Sequence, residues 1–343
     1  MRRWRIAAWL VMVVCMAGYA GAATVPWLLD RPLNPVDGAG GPAVKIVDIP
    51  EGASLRQVAA LLEREHLIAH RWVFVLLDKL SKTRRAVRTG EYALHAGMRP
   101  SEILSELHQG HVLLHSVTIP EGYSVAQIAQ TFEQKGLGRA EDIKRLAQDW
   151  EFIQTLGLTV PSLEGYLFPD TYRFARNVSS KEILSAMVEG LRRVFTADLQ
   201  TRAAELRMSF HEVLTLASVI EKETGAGEER QYVSSVFHNR LKHHIPLQSD
   251  PTVIYGIKNF DGNLRKKDLS SSNPYNTYRV RGLPPGPIAS PGAEAIRAAL
   301  FPAATQYLYF VSRNDGTHYF SSTLTEHERA VDRCQRRPYR KLS

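Results

Sequence analysis

Two carboxylates stand two residues apart in "TLASVIEKETG" (215–225), at the end of an apolar run that reads as a helix. On a helical wheel Val213, Leu216, Ala217 and Ile220 form an apolar arc. Glu221 lies at one edge of the arc, beside Ala217 and Leu214, and Glu223 at the other, beside Leu216 and Val219. Lys222 and Thr215 fall on the polar face. Partial burial raises the pKa of a carboxyl and lets it hold a proton at neutral pH, as a general acid must. The plainer reading is that both glutamates flank a core helix and pair with the nearby "EER" (228–230). On the wheel alone the plainer reading is favoured, and the two positions are not distinguished.

Downstream, polar and aromatic residues cluster where a core would want neither. "PLQSDPTVIYG" (246–256) carries Gln248, Ser249, Asp250, Thr252 and Tyr255. "SSNPYNTYRVRGLPPGPIASPG" (271–292) carries Tyr275, Asn276, Thr277 and Tyr278 ahead of a run dense in Pro and Gly. Hydroxyls, amides and tyrosine faces on rigid loops suit sugars, which offer hydroxyl groups to bond and apolar ring faces to stack. Taken alone, the Pro–Gly run reads as a cluster of structural turns. "LEGYLFPDTYRF" (163–174) has a similar mixture and adds Glu164 and Asp170. No HExxH or CxxC pattern occurs, so no metal or other cofactor is expected, and GxSxG, Walker A and GxGxxG are also missing.

These residues must be carried by a chain of 343 residues, enough for two folded domains. An apolar fraction of 44% excludes whole-chain disorder. The net charge of +8 favours polyanions such as nucleic acid, anionic lipid or acidic wall polymers without choosing among them. Arg2, Arg3 and Arg5 precede a charge-free stretch over residues 6–29, long enough to cross a bilayer, and Asp30 follows it. This predicts a cytoplasmic stub and membrane anchor over residues 1–30, with the rest of the chain outside. A cleaved signal peptide competes, because "AGYAGAA" offers small residues. The apolar run continuing through Val25, Trp27 and Leu28 favours the anchor. The basic stretch "KLSKTRRAVR" (79–88), near Trp72 and Phe74, then faces solvent, anionic lipid or the wall, and nucleic acid is not expected as a partner. Cys15 and Cys334 offer no intramolecular disulfide framework.

Residues 31–43 read as a Pro- and Gly-rich linker. "VDIPEGASLRQVAALLEREHLI" (47–68) then returns seventy positions later as "VTIPEGYSVAQIAQTFEQKGLG" (117–138), and "YALHAGMRPSEILSELHQG" (92–110) is a partial third copy. Each copy predicts a short strand, a Gly-containing turn and an amphipathic helix opened by Ser or Pro-Ser. The repeated unit resembles the LysM module, a small βααβ carbohydrate-binding fold whose ligands include peptidoglycan glycan. It also serves simply as a strand-to-helix connector with an N-cap serine. Beyond Arg139 come longer helices, a loop-rich region over 243–292 and the strands "YLYFVS" (307–312) and "THYFSST" (317–323). Without a regular βαβ alternation the expected class is α+β. The expected organisation is a LysM-like region over 44–116, a catalytic domain over 117–337 and a basic tail over 338–343.

In order along the chain stand "LEGYLFPDTY", "ASVIEKET", "VFHNRL", "LQSDPTVIYG", "NPYNTY", "GLPPGPIASPG" and "HYFSSTLTEH". Over about residues 45–332 this set resembles the YceG-like (MltG) endolytic murein transglycosylases. The resemblance implies cleavage of the β-1,4 bond between N-acetylmuramic acid and N-acetylglucosamine inside glycan strands. The muramyl C6 hydroxyl attacks its own C1, no water is added, and a 1,6-anhydro end is left. A hydrolase needs two carboxylates, whereas here one can protonate the leaving oxygen and then take the C6 proton. By motif position the resemblance puts that role on Glu221, with Glu223 supporting. It implies Gln248, Asp250, Thr252, Tyr255, Tyr275, Asn276, Tyr278 and Glu164 as substrate contacts. Ser249 stands where threonine is expected and His238 where an aliphatic residue is expected. The resemblance also implies a single-pass inner-membrane protein with a periplasmic catalytic domain that ends nascent strands beside peptidoglycan synthases. Two other readings stay open. One is a non-catalytic peptidoglycan-binding scaffold, the other a two-carboxylate muramidase pairing Glu221 with Asp250 or Glu164.

Overall fold

The computed structural model describes residues 29–33, 43–81 and 86–336. They divide into two compact units, one of residues up to His115 with Phe174–Asn177, the other of Ser116–Arg173 and the chain from Val178 onward.

The first unit runs β1 (Lys45–Ile49), α1 (Leu55–Arg64), α2 (Arg71–Leu80), β2 (Gly90–Leu94) and α3 (Pro100–Gln109). β1 and β2 are antiparallel, with Lys45 opposite Leu94 and Ile49 opposite Gly90. Alternate residues Val47, Ile49, Tyr92 and Leu94 turn inward, the period of two that a pleated strand imposes. They meet Val58, Leu62, Phe74 and Leu107 from the three helices in one core.

β3 (His115–Thr118) leads to the second unit's α4 (Val125–Gln134), α5 (Ala140–Leu146) and α6 (Trp150–Thr155), and β4 (Thr171–Phe174) returns to pair with β3. Then come α7 (Ser180–Val194), α8 (Ala197–Glu205), α9 (Phe210–Glu223) and α10 (Arg230–Lys242). The short α11 (Asp250–Gly256) and α12 (Lys266–Leu269) precede α13 (Ala293–Leu300). The hairpin β5 (Tyr309–Ser312) and β6 (His318–Ser321) is antiparallel, and α14 (Leu324–Val331) follows and runs into a π-helical turn at Asp332–Arg336. Helices mixed with two-stranded sheets, of which β1–β2 and β5–β6 are antiparallel, make the described residues a mixed α+β fold.

The internal repeat is structural. Ser54 and Ser124 each cap their helix, accepting from the backbone N–H of Gln57 and Gln127, whose side chains accept in return. This reciprocal box satisfies donors that a helix start otherwise leaves orphaned. Val58, Ala59 and Leu62 are buried in α1, and their counterparts Ile128, Ala129 and Phe132 in α4. Each helix ends alike, Leu67 N–H on Leu62 O and Leu137 N–H on Phe132 O, both at 2.9 Å.

α9 departs from its wheel. Every residue from Val213 to Ile220 is buried, Thr215 included, because the helix runs through the core and packs on α13 and α10. A helix enclosed all round needs no polar face. Its hydroxyls are satisfied internally: Thr215 donates to His211 O at 2.7 Å, while Ser218 donates to Thr215 O and accepts from Ile288 N–H. Each buried Leu, Val or Ile side chain here contributes about 2 kcal/mol.

The membrane helix expected over residues 6–29 lies outside the described residues except for Leu29, as do most of the 31–43 linker and the 338–343 tail. Among the described residues no helix is long and apolar enough to cross a membrane. The longest, α7, has 15 residues and carries charges along its length, which gives about 22 Å against the ~30 Å of a bilayer core. The single-pass anchor and the inner-membrane topology drawn from it are therefore corrected: the described fold is the α+β body alone.

Candidate active site

α9 ends at Glu223 because Thr224 turns to extended backbone, its N–H still reaching Ile220 O. Two positions along a helix are about 200° apart, so Glu221 and Glu223 leave this last turn in nearly opposite directions.

Glu221 is tied down. Its side chain is 7% exposed, Oε2 accepts from Gly292 N–H at 3.0 Å and Oε1 from Arg230 Nη2 at 3.4 Å. Arg230 also lies 3.6 Å from Glu121, in the second "IPEG" turn. Burial, and then the charge of Glu221, push the Glu121 carboxyl above its ordinary range. Backbone bonds from Gly122 N–H to Ser290 O and from Ser290 N–H to Tyr123 O, both 2.8 Å, lock the same turn to the Pro–Gly loop.

Glu223 opens onto a cavity of about 470 Å³, together with Arg240, Gln248, Asp250, Tyr278, His318 and His327. Its Oε1 accepts from the Ser249 hydroxyl at 2.5 Å. Burial pushes its pKa up to about 7; the Ser249 bond opposes this and the charge of Asp250 adds to it. A carboxylate at a helix C-terminus also meets the negative end of the helix dipole, which disfavours ionisation further.

The facing loop is organised by Arg240. Its guanidinium donates to Leu308 O, Pro246 O, Leu247 O and Gln248 Oε1 at 2.6 to 3.1 Å and lies over the Tyr309 ring, 5.2 Å from its centroid. Gln248 takes a left-handed backbone, φ 53°, a conformation costly for a residue with a Cβ. Its N–H is held by Thr277 O at 3.1 Å. Tyr278 donates to Asp250 at 2.6 Å; burial first, then this bond, raises its hydroxyl above the ordinary tyrosine pKa.

Of the expected contact residues, Gln248, Asp250 and Tyr278 are thus gathered around Glu223, not around Glu221. Thr252 and Asn276 are fully buried. Asn276 is committed to the loop, its amide donating to Ser271 O and Leu269 O while Oδ1 accepts from Tyr278 N–H. Glu164, Tyr255 and Tyr275 form a cluster of their own: Glu164 accepts from Val125 N–H at 3.0 Å and from Tyr255 at 3.4 Å, and the two tyrosine rings stand 4.8 Å apart. Burial raises the Glu164 carboxyl to about 7 as well. None of the three lines the cavity at Glu223. Arg240, His318 and His327 line that cavity and carry no role in the sequence reading. Arg240 lies in "VFHNRL" and His318 in "HYFSSTLTEH", but nothing local marks a buried arginine. Among the described residues no group of acidic, His or Cys side chains could hold a metal ion.

The sequence profile of the YceG-like family matches residues 47–333. The chain belongs to the YceG-like family. Within it, the endolytic murein transglycosylase of Bacillus subtilis (strain 168) is 33% identical over 317 residues, covering 88% of this chain and 87% of its own length. The endolytic murein transglycosylase of Streptococcus pneumoniae (serotype 2, strain D39) is 30% identical over 346 residues; the match covers 92% of this chain and 62% of the longer pneumococcal protein. The crystal structure of a yceG-like protein from Listeria monocytogenes superposes with a TM-score of 0.59 at 32% identity, over 83% of this chain and 98% of that one.

Proposed function

We infer that the chain cleaves peptidoglycan as an endolytic lytic transglycosylase, with Glu223 as its acid and base. The family and the transglycosylase relatives support the activity. The observation that carries the choice of residue is that the Glu223 carboxyl, raised to about 7, borders a polar cavity, whereas both oxygens of Glu221 are bound within the protein.

Protonated Glu223 donates to the oxygen of the MurNAc–GlcNAc bond as that bond breaks. The resulting carboxylate then takes the proton from the muramyl C6 hydroxyl as O6 closes on C1, which leaves a 1,6-anhydro end and returns Glu223 to its protonated form. Such proton transfer contributes about 10²- to 10⁴-fold in rate. Gln248, Asp250 and Tyr278 hold the sugar beside it. The β1–α1–α2–β2 unit acts as a LysM-like glycan-holding module, and strand-building synthases are the enzymes whose product this activity would end.

Digestion of purified peptidoglycan, with products weighed by mass spectrometry, tests the reading. Anhydro-muramyl ends that vanish in Glu223→Gln and persist in Glu221→Gln support it; the reverse pattern returns the role to Glu221. Asp250 shares the cavity with Glu223 and so favours a second reading, a two-carboxylate muramidase, whose products would carry reducing ends instead. Binding without any new ends would mark a scaffold.

A further inference from the structure

α11 begins with Ser249 at its N-cap, yet the Ser249 hydroxyl makes no capping bond. A serine there ordinarily accepts from the first-turn N–H groups. Here the hydroxyl turns to Glu223, and its neighbours fix the backbone from which it does so. Ser249 N–H donates to Thr277 Oγ1 at 3.0 Å. Thr252 Oγ1 donates to Ser249 O at 2.7 Å, and the Thr252 and Thr277 hydroxyls are 2.8 Å apart. A hydroxyl has one proton. That of Thr252 lies on the Ser249 carbonyl, so Thr277 must be the donor to Thr252. The ring closes as Ser249 N–H to Thr277, Thr277 to Thr252, and Thr252 back to Ser249 O, and all three residues are buried. The hydroxyl protons of Thr252 and Thr277 are thus both assigned within the ring, and among the described residues Glu223 Oε1 is the acceptor that the Ser249 hydroxyl reaches.

Resting on the reading of Glu223 as the acid and base, we propose that Ser249 is a positioning residue: clamped by the Thr252–Thr277 ring, it keeps a fixed donor on Oε1 of Glu223 and reserves Oε2 for the proton that passes to and from the substrate. A donor on Oε1 stabilises the carboxylate and directs protonation to the other oxygen. It also prevents rotation of the carboxyl, so the acidic proton stays on one side of the cavity. The charged and titratable groups facing Glu223 are Asp250 from α11, Arg240 from α10, Tyr278 from the loop, His318 from β6 and His327 from α14. None of them is the partner of the Ser249 hydroxyl, which donates to Glu223.

The test is the titration of the Glu223 side chain in the full chain, followed by carboxyl-carbon NMR in the wild type, Ser249→Ala and Ser249→Thr, beside the pH profile of anhydro-product release. Loss of a hydrogen bond to a charged group moves the midpoint upward by about one pH unit in Ser249→Ala. The same variant lowers kcat about tenfold with KM little changed, and Ser249→Thr, which keeps the hydroxyl, restores both. A general loosening of the loop would raise KM and leave the midpoint in place. Equal Glu223 midpoints in wild type and Ser249→Ala overturn the positioning role. Full activity of Glu223→Gln instead overturns the acid/base reading, and the NMR titration, which needs no turnover, tells the two failures apart.

Discussion

Glu221 and Glu223 leave the same helical turn into opposite chemistry: one carboxylate closes an internal clasp with Gly292 and Arg230, the other accepts a hydroxyl and faces a cavity. Sequence separation of two residues is what makes this possible, since the helix rotates them to different faces while its end brings both within reach of loops.

The clasp and the cavity respond differently to the same substitution. Glu223→Gln is expected to lower anhydro-product formation by at least about 10²-fold with the fold intact. Glu221→Gln keeps an acceptor for Gly292 N–H but loses the ion pair to Arg230. It should lower stability by about 1 kcal/mol and leave turnover per folded molecule within a few-fold. Product analysis beside thermal unfolding separates the two.

Activity should fall as pH rises through about 7, the pKa to which burial lifts Glu223, because the acid must carry its proton to start the reaction. Rates of product release between pH 5 and 9 check this, and a rate still climbing above pH 8 would contradict it.

The same titration appears in stability. The folded pKa of about 7 lies above the ordinary 4.5, so between those values the native state holds a proton that the unfolded chain has released. Stability from this group is therefore fullest below about pH 4.5 and declines as pH rises through 7. Glu223→Gln lacks the decline. Relative to wild type it should gain up to about 3 kcal/mol on going from pH 5 to pH 8, read as a difference in thermal unfolding. Glu164 titrates in the same range but is present in both proteins and cancels.

Gly165 tests how "LEGYLFPD" and "GLPPGPIASPG" meet. Its φ is +78°, and a Cβ there would fall 2.2 Å from Pro287 Cβ and 3.2 Å from Ala289 O. Gly165→Ala combines left-handed strain with a clash against a rigid ring, and should cost about 2 kcal/mol or more, visible in denaturant unfolding.

Arg240→Lys keeps the charge but not the planar fork that serves four acceptors at once. A lysine leaves buried carbonyls unpaired, so a loss of about 2–4 kcal/mol is expected. Because those carbonyls shape the loop carrying Gln248 and Asp250, KM should rise as well.

How much of this was legible follows from distance along the chain. The capping boxes at Ser54 and Ser124 rest on residues three apart, and the sequence repeat announces them. The α+β class follows from the order of strand and helix patterns. The choice between Glu221 and Glu223 does not, since their surroundings come from Gly292, Arg230 and Ser249, and the wheel treats the two edges alike. Thr215 shows the other limit: periodicity assigned it to a polar face, whereas the helix is enclosed by elements from both sides of the sequence. Thr252 and Asn276 look like ligand-binding residues by type, and only their burial reveals that they build the loop. Arg240 would be placed on a solvent-facing turn by any local rule.

The two "IPEG" turns share a backbone, with φ +72° at Gly52 and +73° at Gly122, but not a setting. Nothing lies within 4 Å of a Cβ placed at Gly52, while Gly122 is buried and bonded to Ser290. For protein engineering the duplicates are therefore opposite resources. The first turn is a place to splice in an affinity handle or a fluorophore, as exposed loop tips allow. The second would carry any such insertion straight into the clasp that Glu221 closes.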